Sequence, residues 1–363
     1  MSVWVVVGGQ YGSEGKGKVS AIITLQEQID LCIRCGGPNS GHSFVDEDGS
    51  TRLVRQIPTG FVSPSTRLLI PAGGVIDLDV LRSEIAFLGL GPERLGIDTR
   101  AMVVTAADKA FERDLRLGDR LSSTLCGVGS AVSRRVLRGA DVILSREASI
   151  EHPWLRPYLT DTASEAHRAI QQSKKILIEG TQGFGLSLYH SSSYPKTTSR
   201  DTTAAGFLSE AGISPLTVTQ IVVVFRTFPI RVAGTQAGPM ENEITWETLQ
   251  DESGYPHPIQ ELTSVTQRVR RVARFDWELA MRAVAYNQPT MLAVNGLDYL
   301  SFANRGVRLS IELEERAQAF LKRLESVSQV PVVFRGTGPA LCDQALPTAP
   351  SEVFDLWKSK LCG

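Results

Sequence analysis

Val3-Trp4-Val5-Val6-Val7-Gly8-Gly9-Gln10-Tyr11-Gly12-Ser13-Glu14-Gly15-Lys16-Gly17-Lys18 is an apolar run that ends in a turn dense with glycine and lysine. Val3–Val7 reads as a buried strand, and the turn after it as the entry to a helix. Five glycines within residues 8–18 let backbone N–H groups approach a polyphosphate closely. The helix N-terminus and the two lysines there add positive charge. Gly12 to Lys18 nearly fits the phosphate-loop spacing G-x-x-x-x-G-K-[ST], but Val19 stands where a magnesium-binding hydroxyl belongs. The bland alternative is a glycine-rich turn with solvated lysines, and so many glycines and lysines in one turn weigh against it.

The same alternation continues along the chain. Candidate strands are Val3–Val7, Leu31–Cys35, Arg67–Ile70, Ile176–Ile178, Gln220–Phe225, Thr290–Val294 and Val330–Phe334. Helical patterns lie between them, among them Leu78–Leu88, Trp277–Tyr286 and Ile311–Val327, with Asp77 and Asp276 as N-caps of the first two. This pattern predicts an α/β fold: a single large domain over 1–363, with a mostly parallel central sheet flanked by helices. The long connections Ser122–Arg138, His190–Gly206, Ala233–Asn242 and Gly254–Arg274 carry Thr, Arg and Gly, and read as ligand-gripping loops.

Composition narrows the class. With 42% hydrophobic residues the chain can bury a large core, which excludes a disordered protein. The 38 basic and 39 acidic residues leave a net charge of −1, so there is no global field for nucleic acid or an anionic membrane. Any anion is therefore bound locally. No apolar run is long enough to span a bilayer, and the N-terminus lacks the basic region and cleavage site of a secretory signal. Cys32, Cys35, Cys126, Cys342 and Cys362 are odd in number and scattered, as expected of reduced thiols in a cytoplasm. Cys32 and Cys35 sit in an apolar run and read as buried strand residues rather than a metal or redox pair.

A second signal is Asn295-Gly296-Leu297-Asp298 after the strand Thr290–Val294. An Asp there can accept guanine N1–H and N2–H, as in GTPases whose loop reads N-K-x-D, although a helix cap is the commoner use. The lysine position holds Gly296, so no aliphatic stem stacks on a base.

Further segments decide between these readings. Gly36-Gly37-Pro38-Asn39-Ser40-Gly41-His42-Ser43 follows the second strand, Gln56–Gly60 and Glu179-Gly180-Thr181-Gln182-Gly183 come later, and Tyr194–Ser199, Thr266–Arg271 and Gly336-Thr337-Gly338-Pro339 complete the series. In this order they resemble the adenylosuccinate synthetase family, with its G-x-Q-W-G-D-E-G-K-G-K, G-x-N-A-G-H-T, E-G-A-Q-G, Y-P-x-V-T-S, T-G-R-x-R-R, T-K-L-D and S-T-G-P segments. The resemblance covers nearly the whole chain.

That resemblance implies a ligase that joins L-aspartate to C6 of a purine nucleotide, using a nucleoside triphosphate and Mg²⁺, through a 6-phosphoryl intermediate. It implies Ser13, Lys16, His42 and Gln182 as the catalytic positions, with His42 as general acid. The purine nucleotide would be held by Ser13, Glu14, Gly15, Lys16 and Asn39–His42, with Ser123, Thr124, Gln182, Thr198 and Arg268. The triphosphate would lie on Gly12–Lys18 and Gly41–Ser43 with Arg270, its base near Gly296, Leu297 and Asp298 and near Gly336, Thr337 and Gly338. Ser264, Val265, Thr266, Arg268 and Arg270 would hold aspartate, and Ser13 and the Gly41 carbonyl the metal. The family implies a homodimer in which an arginine reaches the partner's site; Arg134 matches best, with Arg135 the alternative. The loop Ser123–Ser130 departs from the family's T-T-G-R-G-I-G-P.

The departure that sets the substrate is Ser13, where the family carries a catalytic aspartate. Lys16, His42, Gln182, Arg268 and Arg270 all keep their motif positions, which argues against an inactive relative or a mere nucleotide-binding switch. Exchanging a carboxylate for a hydroxyl frees volume beside purine N1 and C2, where a 2-amino group fits. This resembles the phage-type branch, implying dGMP as acceptor, N6-succino-2-amino-2′-deoxyadenylate for diaminopurine DNA as product, and the host cytoplasm as location. That branch favours ATP or dATP as donor, with GTP the family's usual one. An ordinary enzyme acting on IMP is the competing reading.

Overall fold

The computed structural model describes residues 2–46, 49–263 and 267–346. Nine strands form one sheet: β1 Ser2–Gly8, β2 Leu31–Arg34, β3 Arg67–Ile70, β4 Leu95–Asp98, β5 Leu159–Thr160, β6 Lys175–Glu179, β7 Gln220–Arg226, β8 Met291–Asn295 and β9 Val332–Arg335. Their order is β9-β8-β7-β1-β6-β2-β3-β4-β5, and every neighbouring pair is parallel. All seven expected strands are present, the boundaries shifting by at most two residues, and β4 and β5 are additional.

Alternation along each strand builds two cores. In β1, Val3, Val5 and Val7 point into one and Trp4 and Val6 into the other. Helix α1, Lys16–Glu27, covers the second face with Val19, Ile22 and Ile23, while the helices Ala204–Ala211, Trp277–Asn287 and Glu315–Ser328 cover the first. Both faces are closed, as a parallel sheet requires. The helix Leu78–Leu88 has the expected bounds, and Asp77 caps it by accepting from the amides of Asp79 and Val80. Asp276 caps the helix from Trp277 by accepting from Leu279 N–H.

Two expectations are corrected. The segment Ser122–Arg138 is not a loop throughout, because Val128–Leu137 is a helix whose Val128 and Ala131 pack inward. The last helix starts at Glu315 rather than Ile311, after a separate 3-10 turn at Ser310–Glu312. Cys32 and Cys35 both belong to the buried core but to opposite faces of the sheet, so they cannot pair with each other. Burial pushes both thiols up, which makes them inert. Cys362 lies outside the described residues.

Candidate active site

The site lies at the carboxyl edge of the central strands, where α/β sheets bind ligands. Gly8, Arg34, Glu179, Arg226 and Asn295 close β1, β2, β6, β7 and β8 there. The loop after β1 turns through left-handed backbone at Gly12 (φ 86°), Ser13 (φ 55°) and Gly15 (φ 91°). Gly15 has a second constraint: a Cβ there would lie 2.6 Å from Asn295 Nδ2, which donates to Glu14 O at 2.8 Å.

Glu14 braces this loop from inside. Its Oε1 accepts from the amides of Gln10 (3.0 Å) and Gly12 (2.8 Å), and Lys16 Nζ sits 2.6 Å from Oε2. The Gly12 amide is therefore satisfied within the chain. The N-terminus of α1 is different: Gly15 is its N-cap, and no side chain caps the first turn. Those amides and the dipole make an anion seat beside the buried Lys16.

Facing that seat is a charged triad that closes β2 and β6. Register places Glu179 opposite Arg34. The Glu179 carboxylate, fully buried, takes hydrogen bonds from Arg34, from His42 Nδ1, and from Thr59 N–H and Oγ1–H, both at 2.7 Å. Burial would raise the Glu179 carboxyl, but the charges of His42 and Arg34 and these hydrogen bonds outweigh it and hold it down to about 2. His42 is pushed down to about 4, by burial first and by Arg34 second, against the pull of Glu179. At neutral pH the imidazole is uncharged, so Arg34–Glu179 is the ion pair and His42–Glu179 a hydrogen bond that fixes the ring. His42 Nε2 is buried with no partner. A Cβ on Gly17 would come 2.6 Å from His42 Cβ, so that glycine lets α1 and the histidine meet.

The cleft above has two lobes, a wider one of about 360 Å³ and a tighter one of about 90 Å³. Both are lined by Tyr11, Asn39, Thr124, Gln182, Leu186 and Val232. The tight lobe adds Gly12, Ser13, Lys16, Ser40, Gly41, His42 and Arg270; the wide lobe adds Ser123 and Thr198. The positions named as catalytic, Ser13, Lys16, His42 and Gln182, thus share one lobe. Ser13 is exposed to it.

Other expected residues lie elsewhere. Lys18 Nζ donates to the carbonyls of Gly338 (2.7 Å) and Asp343 (2.9 Å), and burial lowers it to about 8 despite nearby carboxylates. Those bonds make it a strut under the loop that follows β9. In that loop Thr337 is buried, and Gly336 donates to Val294 O while accepting from Leu297 N–H. Asp298, beside Gly296 and Leu297, is buried; its Oδ2 accepts from Tyr255 Oη–H and from Arg305 Nη1 (3.0 Å). Arg134 is held bidentately by Asp108 of the same chain, while Arg135 donates to Ala72 O. Ser43 and Arg268 are exposed. Ser264, Val265 and Thr266 lie outside the described residues.

Sequence reasoning gave no role to Arg34, Glu179, Arg226 or Arg231. Each is a charged residue at or near the end of a buried apolar strand, which was the available signal. Arg231 is buried, stacks 4.5 Å over the Tyr11 ring and donates to the carbonyls of Lys196 and Pro239, tying three loops around the wide lobe.

Among the described residues no cluster of His, Cys, Asp or Glu could hold a metal. A hydroxyl and a carbonyl, Ser13 and Gly41, are hard oxygen donors, and that set suits an Mg²⁺ carried largely by phosphate oxygens and water. No helix among the described residues is long and apolar enough to cross a membrane.

Comparison with known proteins agrees with this geometry. The family model described as adenylosuccinate synthetase matches residues 5–146 and 145–305. Adenylosuccinate synthetase from Methanocaldococcus jannaschii is 39% identical over 341 residues, covering 93% of this chain and 94% of that one. The Archaeoglobus fulgidus enzyme is 36% identical, covering 99% and 100%. Among solved structures, the cyanophage S-2L succinoaminodeoxyadenylate synthetase (PurZ), bound to dGMP and dATP as an energy donor, superposes with TM-score 0.80 at 28% identity, covering 99% of each chain. Fully ligated adenylosuccinate synthetase from Plasmodium falciparum gives TM-score 0.83 at 21% identity, covering 96% and 100%, and shares the fold. The chain belongs to the adenylosuccinate synthetase family and is a ligase that forms a carbon–nitrogen bond.

Proposed function

We propose that this ligase joins L-aspartate to C6 of dGMP, giving N6-succino-2-amino-2′-deoxyadenylate for diaminopurine DNA. The carrying observation is Ser13: a small hydroxyl opens into the lobe shared with Lys16, His42 and Gln182, where the family keeps a carboxylate. The likeness to S-2L PurZ over 99% of the chain supports the same acceptor. In the reaction, purine O6 takes the γ-phosphoryl group, and the aspartate amino group then adds at C6 as phosphate departs. Glu14 is engaged by two amides and Lys16, which leaves the N1 proton to a phosphate oxygen or to water beside Ser13.

Lys16 and the first turn of α1 hold the transferring group. An anionic phosphoryl oxygen at His42 Nε2 raises that imidazole and makes it a donor to O6, with Glu179 fixing the ring and Arg34 holding Glu179. Gln182, Asn39, Ser40, Ser123, Thr124 and Thr198 grip the nucleotide. Arg268 and Arg270 bind the aspartate carboxylates with Ser264, Val265 and Thr266. Ser13 and the Gly41 carbonyl would hold Mg²⁺, which would supply charge neutralisation at the transferring phosphate. Arg134 serves the partner of a homodimer once released from Asp108.

The donor is ATP or dATP. Reading guanine takes both oxygens of Asp298, and one of them already accepts from Tyr255 and Arg305. Gly296, in place of a lysine, removes the stacking stem as well.

A second reading, IMP as acceptor, is favoured by the 36–39% identity to archaeal adenylosuccinate synthetases. Ser13→Asp separates the two, and Asp tolerates left-handed backbone such as the φ of 55° at this position. The ratio of kcat/KM for dGMP to that for IMP should fall at least about tenfold, the scale of one or two heavy atoms in a pocket. An unchanged ratio contradicts the steric account.

A further inference from the structure

Arg226 closes β7 directly under the phosphate loop, and its guanidinium is buried. Its backbone is pinned twice by one side chain: Gln10 Nε2 donates to Arg226 O and Arg226 N–H donates to Gln10 Oε1, each at 3.0 Å. The guanidinium then bridges two loops. Nη1 donates to Ser13 O at 3.1 Å and to Glu261 Oε2 at 3.2 Å, and Nη2 donates to Glu261 Oε1. Tyr299 secures the pair by donating to Glu261 Oε1 at 3.0 Å, with its ring 5.5 Å from the guanidinium.

Each end of this bridge matters. Ser13 holds a left-handed conformation, so the direction of its carbonyl depends on an outside donor. Glu261 sits at the base of a hairpin: its carbonyl accepts from Arg270 N–H at 2.8 Å, and Leu262 bridges Val269. The hairpin carries Arg268 and Arg270. Glu261 thus sets where the guanidinium points, and the guanidinium sets where Ser13 sits.

We propose that the Arg226–Glu261 pair is a positioning device that couples the 261–270 hairpin to Ser13, so that a dicarboxylic amino acid on the hairpin tightens binding of the purine monophosphate. The inference rests on the proposed function, which assigns L-aspartate to the hairpin and dGMP to the Ser13 lobe. Coupling of this kind is reciprocal: each ligand strengthens the other by one factor.

The test is calorimetry without a triphosphate, titrating dGMP into the protein with and without saturating L-aspartate, and then the reverse. In the wild type each ligand should tighten the other by about fivefold or more. Glu261→Gln and Arg226→Lys should bring the factor below about twofold, and Tyr299→Phe, which keeps both charges, should give an intermediate value. A melting temperature recorded for each variant covers stability, since a purely structural pair lowers it and leaves the coupling factor intact. Equal coupling in wild type and variants overturns the inference, as does a wild type that binds both ligands independently. A wild type that binds neither dGMP nor L-aspartate refutes the functional reading itself, and the inference falls with it.

Discussion

Glu179→Gln removes one charge and almost no volume from the centre of the site. The carboxylate is fully buried and collects Arg34, His42 Nδ1 and both donors of Thr59. Arg34, also buried, would lose its counter-charge, and breaking a buried pair on one side costs about 3–5 kcal/mol. For a chain of 363 residues that lowers the melting temperature by roughly 4–7 °C. The catalytic effect is separate. A hydrogen bond to a charged group contributes about 1.5–3 kcal/mol, so losing it at His42 should reduce kcat about ten- to a hundredfold. KM for L-aspartate should hold, because the hydrogen-bond partners of Glu179 among the described residues are Arg34, His42 and Thr59, not Glu261, Arg268 or Arg270. The double variant R34M/E179Q removes both charges and should recover most of the stability but none of the rate. Steady-state kinetics and thermal melts on the three proteins make the test. A folded Glu179→Gln enzyme with kcat within about twofold of wild type refutes the assignment of Glu179 as the group that fixes His42.

Three other outcomes are expected. Gly17→Ala, which inside an ordinary helix would stabilise by about 1 kcal/mol, should here lower both melting temperature and kcat, since its Cβ meets His42 Cβ at 2.6 Å. Tyr255→Phe removes one donor from Asp298 and should raise GTP use relative to ATP severalfold in a donor competition; an unchanged ratio would separate Asp298 from donor choice. Free His42 titrates near 4 when folded and near 6.5 when unfolded, so the unfolded chain takes up the proton first. Stability should therefore fall as pH drops from about 7 to 4.5, by about 2.5 kcal/mol from this group, with Glu179 adding its own loss from about pH 5 downward. Denaturant melts across that range should show a shallower slope for His42→Asn.

Local features of the chain were legible from sequence where one residue class did one job. Leu78–Leu88 was readable to the residue because a capping Asp77 precedes an amphipathic run. The strands were readable because both faces of a parallel sheet are buried, which leaves unbroken apolar runs. The helix Val128–Leu137 was hidden by Ser, Arg and Gly, since only a few of its residues face the interior. The Arg34–Glu179 and Arg226–Glu261 pairs were unreadable for another reason. Arg34 meets Glu179 because β2 lies beside β6 in register, 145 residues away in sequence, and local pattern carries no such information. The motifs named Ser13, Lys16, His42 and Gln182, which line one lobe of the cleft; the buried charges around them needed the fold.

The central claim is that Ser13 admits a 2-amino purine. Incubating the protein with Mg²⁺, L-aspartate and ATP, with dGMP, GMP or IMP offered in parallel, and weighing the products by mass spectrometry tests it directly. The account predicts a succino adduct from dGMP. An adduct from IMP alone would contradict it.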